Sequence, residues 1–358
     1  MGFKPNEIIQ ELNMLRTRKQ LFAVLICGIC FSVFLLADAS GYHLLKKIPV
    51  VNSEGTWDFA SIDESARRLY VAHETQVDVL DVDKETVVGK IPGAQGAHGI
   101  AIAPDLGTGF ITNGDGAFVM QFDLKTLRVL KTIPTGNLPD AIVYEPATRR
   151  VLSFNTVSRN STVIDASTGN VVETIPLDGK PEFAVSDYAG HVFVDLVDKA
   201  IVARIDADKL KITDRWPLEG CDRPTSMAMD RKNHRLFVGC RNLLLAVLNS
   251  NDGKKLTALP IGDNVDTTAF DPETGLIFSS TEDGIITVMH EDGPDSFRAV
   301  DTIKTQNGSK TMALDLKTHR LFVPSGEVAK LPPATPGGKV RKKVAEKTFA
   351  ILVLGREQ

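Results

Sequence analysis

The stretch VDTTAFDPETGLIFSSTEDGIITVMHEDGPDSFRAVDTIK, residues 265–304, contains four short apolar runs separated by polar turns. The first run ends at the turn Pro272-Glu273-Thr274-Gly275, and the second ends at the turn Thr281-Glu282-Asp283-Gly284. Short β-branched runs between clusters of Gly, Pro and Asp are typical of strands joined by tight turns. This stretch therefore predicts a four-stranded antiparallel unit.

The same unit recurs along the chain. An apolar residue followed by Pro or a polar residue closes each copy, at Ile48-Pro49, Ile91-Pro92, Ile133-Pro134, Ile175-Pro176, Trp216-Pro217, Leu259-Pro260 and Ile303-Lys304. A period of about 40–45 residues indicates a propeller or a similar array, and four strands per period correspond to one propeller blade.

The two chain ends complement each other. The last copy stops at FAILVLG (349–355) without a fourth strand, and HLLKKIPV (43–50) stands alone before the first full copy. We therefore expect an all-β, seven-bladed β-propeller, closed by the N-terminal strand that completes the last blade. Such closure would remove an open sheet edge, which otherwise favours aggregation.

The repeats also resemble a known family. NSTVIDASTGNVVETIPLDGKPEFAVSDYAGHVFVD (160–195) is similar to the YVTN repeat of YncE-like propellers, and Phe110-Ile111-Thr112-Asn113 nearly spells that motif. The likeness covers about residues 43–358, although the Tyr of the motif occurs only at Tyr70. It implies the propeller fold and leaves the activity open, because such relatives include binding proteins, surface proteins and subunits of redox enzymes.

Residues 1–39 form a separate segment. Basic residues precede the apolar run 21–37, and the small residues of Ala37-Asp38-Ala39 then predict cleavage of a signal peptide before Ser40. The alternative is an uncleaved membrane anchor at residues 21–37, which would be the chain's only membrane contact. Both interpretations place residues 40–358, a single propeller domain, in the periplasm or outside the cell.

Composition limits the possible partners. The 358 residues carry a net charge of -4, and only 6% are aromatic, which argues against a general nucleic-acid binder. The chain has no CxxCH haem site, GxSxG elbow, HExxH motif or P-loop. We expect a monomer that binds a protein or a small molecule on its loop-rich face.

One position per repeat carries candidate binding residues. Counting back five residues from the first turn of each repeat selects Asp58, His98, Asp140, Glu182, Thr225, Asp266 and Lys310. In a propeller this position starts the innermost strand, so these side chains are expected to ring the mouth of the central channel. The alternative interpretation is that they are polar only because channel water surrounds them.

The same ring suggests a metal site. Carboxylates with Asn carbonyl groups suit Ca²⁺, and His73 together with His98 would suit a transition metal. The candidate ligands are His73, His98, Asp140 and Glu182. No cofactor is certain from the sequence, and a divalent metal is the one it allows.

Two further features stand out. Cys221 precedes the first strand of the fifth repeat and Cys240 ends its second strand, so a disulfide bond is predicted, with two free thiols as the alternative. Residues 326–348 form a basic insertion in the last repeat, rich in Pro and Gly, where no regular element is expected. It would act as a lid over the channel mouth or as a dock for an acidic partner, unless it is only a solvated insertion.

The sequence leaves three functional hypotheses. The absence of a catalytic motif favours an exported, non-enzymatic scaffold that binds a ligand or protein partner on its loop-rich face. The alternative is a metal-dependent hydrolase of the lactonase type, with its site at the channel mouth. A subunit that serves a periplasmic redox partner is a third possibility.

Overall fold

The computed structural model describes residues 40–51, 55–331, 341–345 and 347–357. The predicted signal peptide or anchor at 1–39 lies outside the described residues, as does the middle of the 326–348 insertion. Within the described ranges, no helix is long and apolar enough to cross a membrane.

Twenty-eight strands and one short 3-10 turn (Pro104–Leu106) make up the described secondary structure. The first fourteen strands are β1 (His43–Pro49), β2 (Trp57–Asp63), β3 (Arg68–Asp81), β4 (Thr86–Ala103), β5 (Thr108–Asn113), β6 (Phe118–Asp123), β7 (Val129–Pro134), β8 (Pro139–Glu145), β9 (Arg150–Asn155), β10 (Asn160–Asp165), β11 (Asn170–Pro176), β12 (Pro181–Ser186), β13 (His191–Leu196) and β14 (Ile201–Asp206). The others are β15 (Lys211–Pro217), β16 (Pro224–Asp230), β17 (Arg235–Cys240), β18 (Leu244–Asn249), β19 (Lys255–Pro260), β20 (Val265–Asp271), β21 (Leu276–Thr281), β22 (Ile285–Gly293), β23 (Ser296–Lys304), β24 (Ala313–Asp315), β25 (Arg320–Ser325), β26 (Val328–Leu331), β27 (Arg341–Val344) and β28 (Ala350–Gly355).

The strands form antiparallel sheets arranged as a β-propeller. Five sheets have four strands each, in the orders β1-β28-β25-β24, β11-β10-β9-β8, β12-β13-β14-β15, β16-β17-β18-β19 and β20-β21-β22-β23. A sixth sheet has six strands, β2 to β7 in sequence order. The innermost strands β2, β4, β8, β12, β16, β20 and β24 each contact the next, and β24 contacts β2.

The number of sheets differs from the prediction. Seven blades were predicted, whereas the described residues form six large sheets, because the long strand β4 belongs to two consecutive repeats. The first half of β4 pairs with β3 and its second half pairs with β5. Ala97 joins the two halves, since it pairs with both Glu74 and Asn113.

The first and last described strands lie in one sheet. β1 pairs antiparallel with β28, with Ile48 opposite Ile351, and β28 pairs on its other side with β25. Both isoleucines are buried in one apolar cluster that also contains Phe322. The first and last strands of the described residues are therefore held together by backbone hydrogen bonds and by side-chain packing.

Burial explains the recurring apolar-Pro pair. The outermost strands are largely exposed, and in β11 the one buried side chain is Ile175. The Pro that follows lacks an N–H group, which is tolerated on an edge strand. The second strands of the repeats are buried along most of their length and place large rings in the core, at Tyr70, Phe110, Phe154, Phe193, Phe237, Phe278 and Phe322.

The insertion in the last repeat contains a regular element, which corrects the expectation that it would have none. β26 pairs with β27, with Val328 opposite Val344. Val344 is buried in the same cluster as Trp57 and Phe349. The base of the insertion is therefore a two-stranded hairpin packed against the start of β2.

Candidate channel-mouth site

The predicted ring residues lie at or just before the start of the innermost strands. Asp58 is in β2, His98 in β4, Asp140 in β8, Glu182 in β12, Thr225 in β16 and Asp266 in β20, and Lys310 shortly precedes β24. Short contacts link most of these side chains into two groups, described in turn below.

The first group joins His98 to two carboxylates. His98 Nδ1 lies 2.5 Å from Asp58 Oδ2 and 3.8 Å from Asp140 Oδ1. A β-carbon at Gly114 would come within 2.7 Å of His98 Nε2, so the glycine leaves the space that the imidazole ring occupies. Asp58, His98 and Asp140 offer ligand atoms that all lie within 4.8 Å of one another.

Burial and mutual repulsion control the charges of this group. Burial lowers the pKa of His98, but the hydrogen bond with Asp58 and the charge of Asp140 outweigh burial and raise this pKa to about 9. Burial raises the pKa of Asp140 to about 7; the His98 charge opposes this rise, and the other ring carboxylates add to it. At neutral pH the His98 imidazolium therefore compensates the Asp58 carboxylate.

The second group contains alternating acids and bases. Lys310 Nζ donates to Asp266 Oδ2 at 2.5 Å, and an Arg241 Nη atom lies 3.9 Å from both Asp266 and Glu182. Lys180 Nζ lies 3.2 Å from Glu182. Burial raises the pKa of Asp266 to about 6, and the Lys310 ammonium opposes this rise. The ring is therefore a network of compensated charges.

Two polar atoms beside this network have no partner among the described residues. Asp195, at the end of the adjacent strand β13, is fully buried, and its Oδ2 atom accepts no hydrogen bond, although Oδ1 accepts one from the Phe183 N–H group. The Nε atom of Arg241 is also buried and unpaired. Burial raises the pKa of Asp195 well above its usual value of 3.8. Such unpaired buried groups cost free energy unless a ligand or water satisfies them.

The structure places His73 apart from this site. Its side chain is fully buried, with Nδ1 3.0 Å from Asp78 Oδ2 and Nε2 3.2 Å from the Gly55 carbonyl oxygen, and its ring packs on Phe349. It is absent from the one three-residue group of metal-ligand type found in the described residues, and Glu182 is absent as well. His73 and Glu182 therefore do not share a ligand group with His98 and Asp140 here.

Cys221 and Cys240 are joined by a disulfide bond. The bond ties the segment before β16 to the end of β17, within a buried apolar cluster. It lies in the propeller wall and adds no reactive group to the ring.

Sequence reasoning missed Lys180. This residue stands before the start of β12, outside the aligned ring position, and its ammonium group lies beside Glu182. Arg241 and Asp195 could be placed on this face from the sequence, because both lie where a second strand of a repeat ends. That Arg241 bridges two repeats could not be predicted, because the reach of a long side chain depends on the folded loop.

Comparison with known proteins agrees with the fold. The WD40 repeats of RRP9 match with a TM-score of 0.72 and 10% identity, covering 89% of this chain and 99% of that one. U3-55K matches with a TM-score of 0.71 and 10% identity over 88% and 99% of the two chains. Hydrazine synthase of Kuenenia stuttgartiensis matches with a TM-score of 0.67 and 14% identity over 76% and 94%. Identities this low establish a likeness of fold alone.

Sequence comparison identifies no family. No protein-family model matches the chain, and no curated protein matches it either. The chain is therefore a β-propeller whose function has to be argued from its own residues.

Proposed function

We propose that this protein is an exported propeller scaffold that binds a polar ligand or a polar protein segment at the channel mouth, without catalysing a reaction. The carrying observation is the pair of unpartnered buried atoms, Asp195 Oδ2 and Arg241 Nε, beside the charged ring. A ligand with a complementary acceptor and donor would satisfy both atoms and offset their desolvation cost.

The charge balance of the mouth supports a polar ligand over a simple ion. Asp58, Glu182 and Asp266 each have a basic neighbour, namely His98, Lys180 and Lys310 respectively. An added ion would have to compete with these internal partners. A molecule with several hydrogen-bonding groups can exchange bonds with the network without leaving a charge uncompensated.

A thermal-shift screen of polar metabolites and charged peptides tests this proposal. We expect at least one compound to raise the melting temperature of the purified chain, and D195N and R241Q to reduce that shift. D252N, at an exposed turn after β18, is the matched control and should keep it. Shifts that persist equally in D195N and R241Q would refute binding at the mouth.

A second candidate is a metal-dependent hydrolase of the lactonase type. The observation that favours it is the close approach of Asp58, His98 and Asp140 ligand atoms, within 4.8 Å. A divalent ion held there would polarise a carbonyl group or activate water. Metal analysis before and after chelation, on the wild type and on D140N, tests this candidate. Stoichiometric metal and lactone hydrolysis in the wild type, both lost in D140N, would support it.

Several finer features belong to the same proposal. The seven innermost strands support a seven-bladed arrangement in which two blades are fused through β4. The β1–β28 pairing supports closure by the N-terminal strand. The disulfide between Cys221 and Cys240 supports export, because disulfide bonds persist mainly in oxidising compartments. Membership of the YVTN-repeat propellers rests on the repeat motif itself.

A further inference from the structure

The side chains that line the central channel change from polar to apolar along its length. The ring residues that begin the innermost strands are mostly charged, whereas residues further along the same strands that line the channel are apolar or small, among them Ala60, Ile100, Ile142 and Ala184. Ile62, Ile102, Tyr144 and Leu314 follow towards the ends of these strands. The channel is therefore polar where the innermost strands begin and largely apolar where they end.

The apolar end opens into a sizeable cavity. It has a volume of about 690 Å³ and is lined by Ile62, Ile102, Tyr144, Val185 and Leu314. This volume lies within the range of about 300–1,000 Å³ that is usual for small-molecule sites.

A second, smaller cavity continues the first one deeper into the channel. It has a volume of about 200 Å³ and shares the wall residues Ala60 and Ile142 with the larger cavity. Phe59 and Phe183 line its inner part, and their rings meet edge to face at 5.3 Å. An elongated apolar group inserted from the open end would therefore meet apolar walls up to this aromatic pair.

The rim of the larger cavity carries one cation without an acidic partner. The Arg231 guanidinium lies over the Tyr188 ring at 3.8 Å, and its Nε atom donates to the Ser186 carbonyl oxygen at 3.0 Å. No carboxylate among the described residues pairs with Arg231, so its terminal nitrogens remain available to a ligand.

The rim acids, by contrast, are already engaged. Glu64 accepts hydrogen bonds from Arg67 and from the Leu316 N–H group. Asp105 accepts one from the Tyr144 hydroxyl group at 3.0 Å. Arg231 is therefore the one basic residue among the lining residues of this cavity, and it can pair with an anionic head group.

We propose that this end of the channel binds an amphipathic carboxylate, such as a medium-chain fatty acid, with its hydrocarbon chain in the cavity and its carboxylate on Arg231. Apolar burial would supply most of the affinity, and a charge-assisted hydrogen bond would fix the orientation. The site is separate from the channel mouth, so it does not depend on the function proposed above.

Isothermal titration of the purified chain with hexanoate, octanoate and decanoate, in buffer without detergent, tests the proposal. We expect one molecule bound per chain, and an affinity that rises roughly tenfold for each two added methylenes. Decanol and decyltrimethylammonium, with the same chain and a neutral or positive head, should bind more weakly than decanoate. Absence of decanoate binding, or affinities that do not depend on chain length, would overturn the proposal.

Two variants and a matched control locate the site. R231Q should weaken decanoate binding about tenfold and leave decanol binding unchanged, because only the charge-assisted contact is lost. K232Q removes a neighbouring exposed charge and should change neither affinity. A60F, which fills the space shared by both cavities, should abolish binding of both compounds.

The results for these variants either support or refute binding of the carboxylate at this site. An equal effect of R231Q and K232Q would show that general charge, and not this site, attracts the carboxylate. If A60F does not fold, the comparison of R231Q with K232Q and the chain-length series still test the site. D195N, at the channel mouth, should retain full decanoate affinity, so the two proposals can fail independently.

Discussion

Single acidic residues at the ends of the innermost strands link neighbouring repeats. Asp315, for example, accepts hydrogen bonds from the Thr318 hydroxyl group in its own turn and from both terminal nitrogens of Arg67 in the first repeat. Burial alone would raise the pKa of Asp315, but the hydrogen bonds from Arg67 and Thr318 hold it well below 3.8. This contribution to stability is present at neutral pH and is lost only in strong acid.

Replacing Asp315 by Asn tests how much this link contributes to the stability of the fold. The Asp315 side chain is 1% exposed and the Arg67 side chain 14%, so D315N leaves a largely buried guanidinium without its main counter-charge. We expect the free energy of unfolding at pH 7 to fall by about 3 kcal/mol in urea titrations. The control is D83N, which removes one of the two more exposed carboxylates on Arg67 and should have a clearly smaller effect. Equal losses in the two variants would contradict the argument.

Glu291 should make stability depend on pH. Burial raises its pKa to about 7 and the nearby Asp230 carboxylate adds to the rise, against an ordinary value of 4.5. Between these two values the folded chain holds a proton that the unfolded chain has released, so the free energy of unfolding decreases as pH rises through this window.

The Glu291→Gln variant removes that dependence. We expect E291Q to gain roughly 2–3 kcal/mol of stability relative to the wild type between pH 4.5 and pH 8, as measured by urea titrations across the window. E273Q, at an exposed residue of a nearby turn, should keep the wild-type slope. An E291Q slope identical to that of the wild type would mean that Glu291 does not cause the dependence.

At the scale of elements, the disulfide bond joins two segments of one blade. Cys221 and Cys240 are separated by 19 positions and both are buried. Closing a loop of this size stabilises a fold by about 3 kcal/mol in the chain-entropy estimate. Reductant should therefore lower the free energy of unfolding of the wild type by about that amount.

The double variant C221S/C240S is the control for this prediction. It should be less stable than the oxidised protein and should not respond to reductant at all. A wild type whose denaturation midpoint stays the same with and without reductant would contradict a stabilising role.

The predictable elements are those with a local physical cause. The apolar-Pro pairs marked the outermost strands because one side chain there is buried on an otherwise exposed strand, as Ile175 shows. The ring positions could be predicted by counting back from the turn that ends each innermost strand. This count places Asp140 and Asp266 near the start of β8 and β20.

The features that sequence reasoning missed depend on contacts distant in the chain. The fusion of two repeats through Ala97 requires β4 to keep pairing beyond Pro92, which no turn signal reveals. Pairing of β26 with β27 bridges a long Pro- and Gly-rich stretch. His73 is buried away from the mouth because Asp78 and Phe349 enclose it, and no sequence pattern predicts either contact.

At the scale of the whole molecule, the contacts among the innermost strands form a closed ring. In an open repeat array each unit contacts only its neighbours, so the ends can unfold separately. Here β24 contacts β2, and Thr311 donates a hydrogen bond to the Asp58 carbonyl oxygen at 2.9 Å. We infer that the propeller unfolds as one cooperative unit as long as β1 stays paired with β28.

Ile48 offers a direct test of that inference. Its side chain is 4% exposed and packs with Ile351 and Phe322, so I48D would place an unpaired carboxylate in this cluster and detach β1. L44D is the matched control on the same strand, because Leu44 is 44% exposed. Hydrogen exchange followed by mass spectrometry should show lost amide protection in β28 for I48D only, and denaturation curves from two probes should separate for that variant. Unchanged protection of β28 in I48D would mean that the ring holds without its N-terminal strand, and that the innermost strands alone carry the cooperativity.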